Sequence, residues 1–199
     1  MLFDLHVHTS YSSCSSLKVK DCLDQAAAIG LDGVCITDHH SMKAKEILSE
    51  GIQENGVFVI IGLEYSTRQG DFLVFGLNDE PPLGLSAQQL FCLVEGYNAI
   101  AISAHPFRQQ RLVSEQLFAE GWCQIVETLN GRNTDEENFK AISQLSKYNL
   151  VQCGGSDAHT REELGTFTTQ FMTPIHSKEE FIRFLKDGRC KPWVFGKAS

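Results

Sequence analysis

Short apolar runs recur along this chain, each ending in a polar cluster and most followed by a segment whose apolar positions repeat at helical spacing. The first run, residues 3–9, alternates Leu5 and Val7 with His6 and His8. As a strand it turns the two histidines to one face, about 7 Å apart, and the aliphatics to the other. A serine-rich loop, residues 10–16, follows. Val19, Cys22, Leu23, Ala26, Ala27 and Ile29 then line a helix, with Ser16 as N-cap and Gly30 as stop. Residues 34–37 form a second strand ending in Asp38-His39-His40, and a helix is expected over residues 44–54.

The pattern then repeats. A strand at 57–63 runs into Glu64, and residues 71–76 pair with it as a hairpin-like insertion. Pro81 and Pro82 break the chain ahead of a helix at 87–95. Strands at 99–104, 124–129 and 150–155 run into His105-Pro106-Phe107-Arg108, Asn130-Gly131-Arg132 and Ser156-Asp157-Ala158-His159. A helix from Thr134, with Phe139, Ile142 and Leu145 as its apolar positions, separates the last two. A strand at 167–172 and a helix at 178–186 close the series. Such alternation, with no repeat or low-complexity linker, predicts a single α/β domain over residues 1–199 built on a parallel sheet. Nearly every strand carries its polar residues at its C-terminal end. The expected architecture is therefore a small, distorted, TIM-like (β/α)7 barrel, which gathers those ends on one face. An open doubly wound sheet would gather fewer of them.

Composition narrows the function. With 42% hydrophobic residues the chain can bury a sizeable core, and a net charge of −8 argues against a broad nucleic-acid-binding surface. The N-terminus has no basic n-region and no apolar run is long enough to span a bilayer, so the protein is expected to be cytoplasmic and off the membrane. The seven cysteines are scattered without a C-x-x-C pair and read as reduced thiols. Cys35, Cys123 and Cys153 lie in apolar strands as small hydrophobes, and Cys14 is given a structural role although it follows the histidine pair. Neither a G-x-G-x-x-G nor a P-loop motif occurs.

Six of the seven histidines (His6, His8, His39, His40, His105 and His159) fall at or just after a strand's C-terminal end, and Glu64 and Asp157 hold equivalent places. His176, ahead of the last helix, is read as a surface residue. Imidazoles with carboxylates suit Zn²⁺, Mn²⁺ or Fe²⁺ rather than Ca²⁺ or Mg²⁺, and a carboxylate can bridge two ions, so a site for two or three divalent ions is expected.

In this order, H-x-H, Asp-His, Gly-Leu-Glu, Ala-His-Pro and Ser-Asp-Ala-His resemble the PHP (polymerase and histidinol phosphatase) superfamily from His6 to His159. The resemblance implies metal ligation by His6, His8, His39, Glu64, His105, Asp157 and His159, with Glu64 as the bridging carboxylate. Two departures stand out. Many members carry a ligand in the loop after H-x-H, where this chain has Ser12, Ser13 and Cys14. Many carry another shortly after the strand holding Glu127, where this chain has Asn130-Gly131-Arg132; Asn130 or Glu127 could fill in.

The implied reaction is hydrolysis of a phosphate ester on a small phosphorylated metabolite or nucleotide by metal-activated water. Arg108 and Arg132, on the same predicted face, are candidates for binding phosphate oxygens. Asp38 or His40 could serve as general acid, or Asp38 could orient a ligand histidine. Two alternatives are a metal-binding regulatory or interaction module like the polymerase-associated relatives, and an amidohydrolase-like C–N hydrolase.

Overall fold

In the computed structural model, which describes residues 1–194, the opening apolar run is β1 (Leu2–Val7) and the first helical stretch is α1 (Val19–Ile29). β2 (Gly33–Ile36), the two-residue β3 (Gly51–Ile52) and β4 (Phe58–Ile61) come next, then the hairpin of β5 (Leu63–Thr67) and β6 (Gly70–Phe75). The remaining order is α2 (Ala87–Gly96), β7 (Ile100–Ser103), α3 (Gln116–Ala119), β8 (Ile125–Asn130), α4 (Asp135–Leu145), β9 (Val151–Gly155), β10 (Phe167–Phe171), α5 (Lys178–Lys186) and β11 (Cys190–Val194).

The strands form two mixed sheets, of order β11-β10-β1-β2-β4-β3 and β5-β6-β7-β8-β9. Parallel pairing is confined to β1-β2-β4 and β7-β8-β9, and the rest is antiparallel. This corrects the expectation of one parallel sheet closed as a (β/α)7 barrel: among the described residues no ladder joins the two sheets. They meet instead through two isolated parallel bridges, Val7 with Ala158 and His39 with Glu64. Both bridges lie among the expected ligands, so the seam is stitched at the end of the sheets that carries the polar clusters.

Two apolar layers hold this frame. One draws on both sheets through Phe3, Leu5, Ile60, Leu73 and Ile102 and on α5 through Phe181, all wholly buried. Its aromatic rings meet edge to face, Phe3 on Phe171 at 5.4 Å and Phe75 on Phe181 at 5.3 Å. The other packs α1 and α2 against the opposite faces of the strands. Each fully buried aromatic contributes about 1.5–3 kcal/mol. Cys35, Cys123 and Cys153 are buried as expected, and His176 is exposed.

Three local expectations give way for identifiable reasons. The helix expected at 44–54 is a single 3-10 turn, Lys43–Glu46, followed by β3. Gly51 has φ 111°, which no helix can accept, and Ile47 and Ile52 are exposed. At α1 the N-cap is Lys18, without a side-chain cap bond. Ser16, expected to cap it, instead ties the preceding loop down together with Ser15: Ser15 Oγ donates to the carbonyls of His8 and His159, and Ser16 N–H to that of His159. Helix α4 starts as expected, from a capping box between Thr134 and Glu137, but it buries Asn138, Ala141 and Leu145 and leaves Phe139 and Ile142 in solvent. Asn138 sets that face, because its carboxamide grips both backbone polar groups of Asn130. Among the described residues no helix is long and apolar enough to cross a membrane.

Candidate metal centre

All seven expected ligands come together at the seam. His6 lies in β1 and Glu64 in β5, while His8, His39, His105, Asp157 and His159 stand in the loops after β1, β2, β7 and β9. Glu64 is the hub: Oε1 is 2.9 Å from His105 Nε2, and Oε2 lies 3.5, 3.2 and 3.1 Å from His6 Nε2, His8 Nε2 and His39 Nδ1. Asp157 Oδ1 faces His6 Nε2 at 3.5 Å and His8 Nε2 at 3.3 Å. Three donor groups are compact enough to hold an ion: His6-Glu64-His105, His6-His8-Asp157 and His8-His39-His159.

The donors are preset by what lies behind them. His6 Nδ1 donates to the buried Glu127 carboxylate at 3.1 Å, so Nε2 is the nitrogen that faces Glu64 and Asp157 and that would exchange its proton for an ion. Ser12 Oγ gives its hydrogen to Asp38 at 2.6 Å and accepts His39 N–H, leaving it to accept His8 Nδ1–H at 3.2 Å. His159 Nδ1 donates to the Asp157 carbonyl at 2.8 Å. Three imidazoles are thus fixed in one tautomer by a partner that can only accept, the usual support of a metal-ligating histidine. His6 Nε2 and His8 Nε2 are 3.0 Å apart, two ring nitrogens that only a shared proton or cation can hold so close. The site fits divalent ions on this chemistry.

Charges follow from the same geometry. Burial acts most strongly on His6 and favours its neutral form, yet Asp157, Glu127 and Glu64 outweigh it and hold its pKa well above the ordinary value of 6.5. His8 is raised as well, against the same burial, by Asp157 and Glu64. Burial disfavours the charged carboxylates of Glu64 and Asp157, but His6 and the other imidazoles, with Arg108 beside Asp157, bring both below the usual range. Burial lowers His159 and His40.

The backbone is strained where donors leave the strands. His40, His105 and Asp157 have φ of 50°, 29° and 56°, the left-handed region that costs a non-glycine residue of order 1–3 kcal/mol. Gly155 lets β9 pass this close: a Cβ there would stand 2.6 Å from His6 Cβ and 2.8 Å from Glu127 Oε1.

Other candidates are placed less directly. Asp38 accepts from Thr9 N, Thr9 Oγ1 and Ser12 Oγ, and so touches His8 only through Ser12. His40 sets its ring edge-on to Tyr65 and leaves a buried Nδ1 without a partner. Arg108 reaches the site, but its guanidinium donates to Asp157 Oδ2 and Asn130 Oδ1, both at 2.7 Å, and to Asn133 Oδ1 at 3.1 Å. Arg132 pairs with Glu163 at 3.2 Å. Cys14 is exposed and belongs to none of the three donor groups. Ser12 and Asn138 carry no sequence signal that marks their part in the site. Glu127 is readable there only as a stand-in ligand, although an acid inside the apolar stretch Ile125-Val126-Glu127 is a signal.

Comparison with known proteins gives the same picture. A family model described as "PHP domain" matches residues 4–160, and one described as "PHP-associated" matches residues 135–190. The Methanocaldococcus jannaschii protein MJ1587 is 32% identical over 117 residues, 54% of this chain and 68% of that one. Among solved structures, PsfC from Pseudomonas syringae PB-5123 superposes with a TM-score of 0.78 at 19% identity, covering 98% of this chain and 91% of its own. A protein of Bifidobacterium adolescentis, provisionally described as a metal-dependent phosphoesterase, superposes at 0.65 with 16% identity, covering 80% of this chain and 88% of its own. At such identities the structural likeness speaks for the fold.

Proposed function

Since the chain belongs to the PHP domain family, we propose that it is a metal-dependent phosphoesterase acting on a small phosphorylated molecule, with His6, His8, His39, Glu64, His105, Asp157 and His159 holding two or three divalent ions. The observation that carries this reading is the convergence of imidazole and carboxylate donors on one buried point, three of the histidines locked from behind by acceptors. Nitrogen and oxygen donors in this mixture suit Zn²⁺, Mn²⁺ or Fe²⁺. When bound, such ions supply a nucleophile from water near neutral pH and offset charge on phosphoryl oxygens.

The protein's own part is positioning. Glu64 turns one oxygen to His105 and the other to His6, His8 and His39, the disposition a bridging carboxylate needs. Asp157 offers Oδ1 inward while Arg108 occupies Oδ2 and so fixes its plane. Asp38 steadies the loop over the site through Thr9 and Ser12. The test is phosphate release from a panel of phosphomonoesters and nucleotides by protein loaded with Mn²⁺ or Zn²⁺. Release that chelator abolishes and added ion restores is expected; no release across the panel, or less than one bound ion per chain by elemental analysis, overturns the proposal.

Ion-free protein should show a bell-shaped stability profile. The acids Glu64 and Asp157, ordinary values 4.5 and 3.8, are depressed in the fold, so their contribution is present above those values and is lost as pH falls through the lower folded ones. His6 and His8 are raised, so theirs is complete below 6.5 and is lost as pH rises through their folded values. Thermal melts in chelator are expected to peak between about pH 4.5 and 6.5 and to fall on the alkaline side. A melting temperature that keeps rising above pH 7 would contradict these charge states.

A further inference from the structure

The loop after β7 carries two arginines, and they are used differently. Arg108 N–H bonds to the His105 carbonyl and Arg111 N–H to the Arg108 carbonyl, at 3.0 and 2.8 Å, so the loop folds as successive turns directly above the strand end. Arg108 turns to the Asp157 side of the site, where three short bonds from two of its nitrogens occupy it. Arg111 turns to the β6 side. There it has one long contact, Nη1 to Asp71 Oδ1 at 3.5 Å, and its side chain is 56% exposed. A guanidinium has five N–H donors, so most of those on Arg111 are free.

Asp71 ties that arginine to the ligand face. Paired residues of an antiparallel ladder share a face, and residues two apart on a strand do as well. Glu64 pairs with Leu73 and Ser66 with Asp71, so Asp71 lies on the same face as Glu64, its diagonal neighbour at about 7–8 Å. The Asp71 carbonyl accepts from Ala104 N–H at 3.0 Å, which sets it level with the start of the His105 loop. Asp71 is nearly buried, and the charges of Asp71 and Arg111 both bear on His40, whose Nδ1 has no partner. The far side of the loop is anchored too, Ser114 N–H bonding to the Gln69 carbonyl at the hairpin turn. Arg111 therefore touches Asp71 without being saturated by it, on the face of the hairpin that carries Glu64 and facing open solvent.

We infer that Arg111 is the specificity-determining residue of this site, reading a second anionic group, a carboxylate or phosphate, on the leaving-group portion of the substrate. The inference rests on the phosphoesterase reading for the position of the scissile phosphate. Arg111 contacts Asp71, the diagonal neighbour of Glu64 at about 7–8 Å on the hairpin, and that short span suits a small, doubly anionic ester. Arg108 is the less available of the two: three of its five N–H groups are bonded through Nε and Nη2, which leaves Nη1, and its side chain is 24% exposed against 56% for Arg111.

The matched probes are benzylphosphonate and 4-carboxybenzylphosphonate, which cannot be hydrolysed and differ by one carboxylate. Calorimetric titration of metal-loaded protein should show tighter binding of the carboxylated probe by about tenfold, a difference of about 1.4 kcal/mol. In Arg111→Gln that preference should fall to near one, with ion content and melting temperature measured on both proteins to show an intact site. Equal affinities in the parent protein, a preference that survives in Arg111→Gln, or no binding of either probe overturns the inference. Phosphate release across the panel of phosphomonoesters and nucleotides is scored separately: its absence sinks the phosphoesterase reading, while the ratio of phosphonate affinities reports on Arg111 alone.

Discussion

Glu64→Gln should leave the protein folded and nearly inactive. The substitution keeps the shape and removes the one carboxylate that meets four imidazoles, at 2.9 to 3.5 Å. Glutamine offers a single acceptor oxygen, so one side of the cluster would face an amide N–H₂. If that side is His105, the amide N–H₂ meets the Nε2–H that donates to Glu64 Oε1, and two donors confront each other in a buried site at a cost of about 1–3 kcal/mol. Phosphate release is expected to drop by roughly 10²–10³-fold, the scale seen when one group that stabilises developing charge is removed. Ion content should fall below that of the parent protein, and the acid-side protection of ion-free protein should weaken because His6 and His8 lose a counter-charge. Retention of both activity and ion content in this variant would exclude Glu64 as a bridging carboxylate.

How far the site could be read from the chain depends on the kind of signal each residue leaves. His6, His39, His105 and Asp157 were legible because each follows an apolar run, and strand C-termini converge in any α/β arrangement. Glu64 was legible for the same reason, even though the strand it was assigned to divides: β4 pairs in one sheet and β5 in the other. That division is why two separate sheets were not foreseeable. Apolar alternation marks a strand but not its ladder partner, and the contacts at the seam are single bridges that leave no periodic trace. Helix α4 shows the limit from another side. Its apolar spacing named Phe139 and Ile142, but two hydrogen bonds from Asn138 to Asn130 decide which face is buried. The partners of the two arginines read as phosphate contacts also leave no local trace, since they lie far away in sequence, Asp157 for Arg108 and Glu163 for Arg132.

Glu127 is the residue whose importance emerges only from the fold, and Glu127→Gln tests it. The wholly buried carboxylate accepts from three donors that come from three elements: His6 Nδ1 at 3.1 Å, His105 N–H at 2.9 Å and Asn130 Nδ2 at 2.9 Å. It thereby orients the ring of one expected ligand, the backbone of a second whose φ is strained, and the carboxamide that holds Arg108 against Asp157. Glutamine can satisfy at most part of this. Its amide nitrogen would face His6 Nδ1–H in place of Oε1, or both His105 N–H and Asn130 Nδ2–H in place of Oε2, leaving at least two buried donors without acceptors. Since nothing else is placed to accept His6 Nδ1–H, that imidazole would be free to present the protonated nitrogen to the ions. Metal affinity is expected to fall about 10–100-fold, the usual consequence of losing a partner behind a ligating histidine. Competition titration against a chelator measures this directly. Because Glu127 supports ligands without being one, saturating metal should restore most of the phosphate release in Glu127→Gln but not in Glu64→Gln. Failure of excess ion to rescue Glu127→Gln would make Glu127 a ligand itself, the role its place in the sequence had suggested.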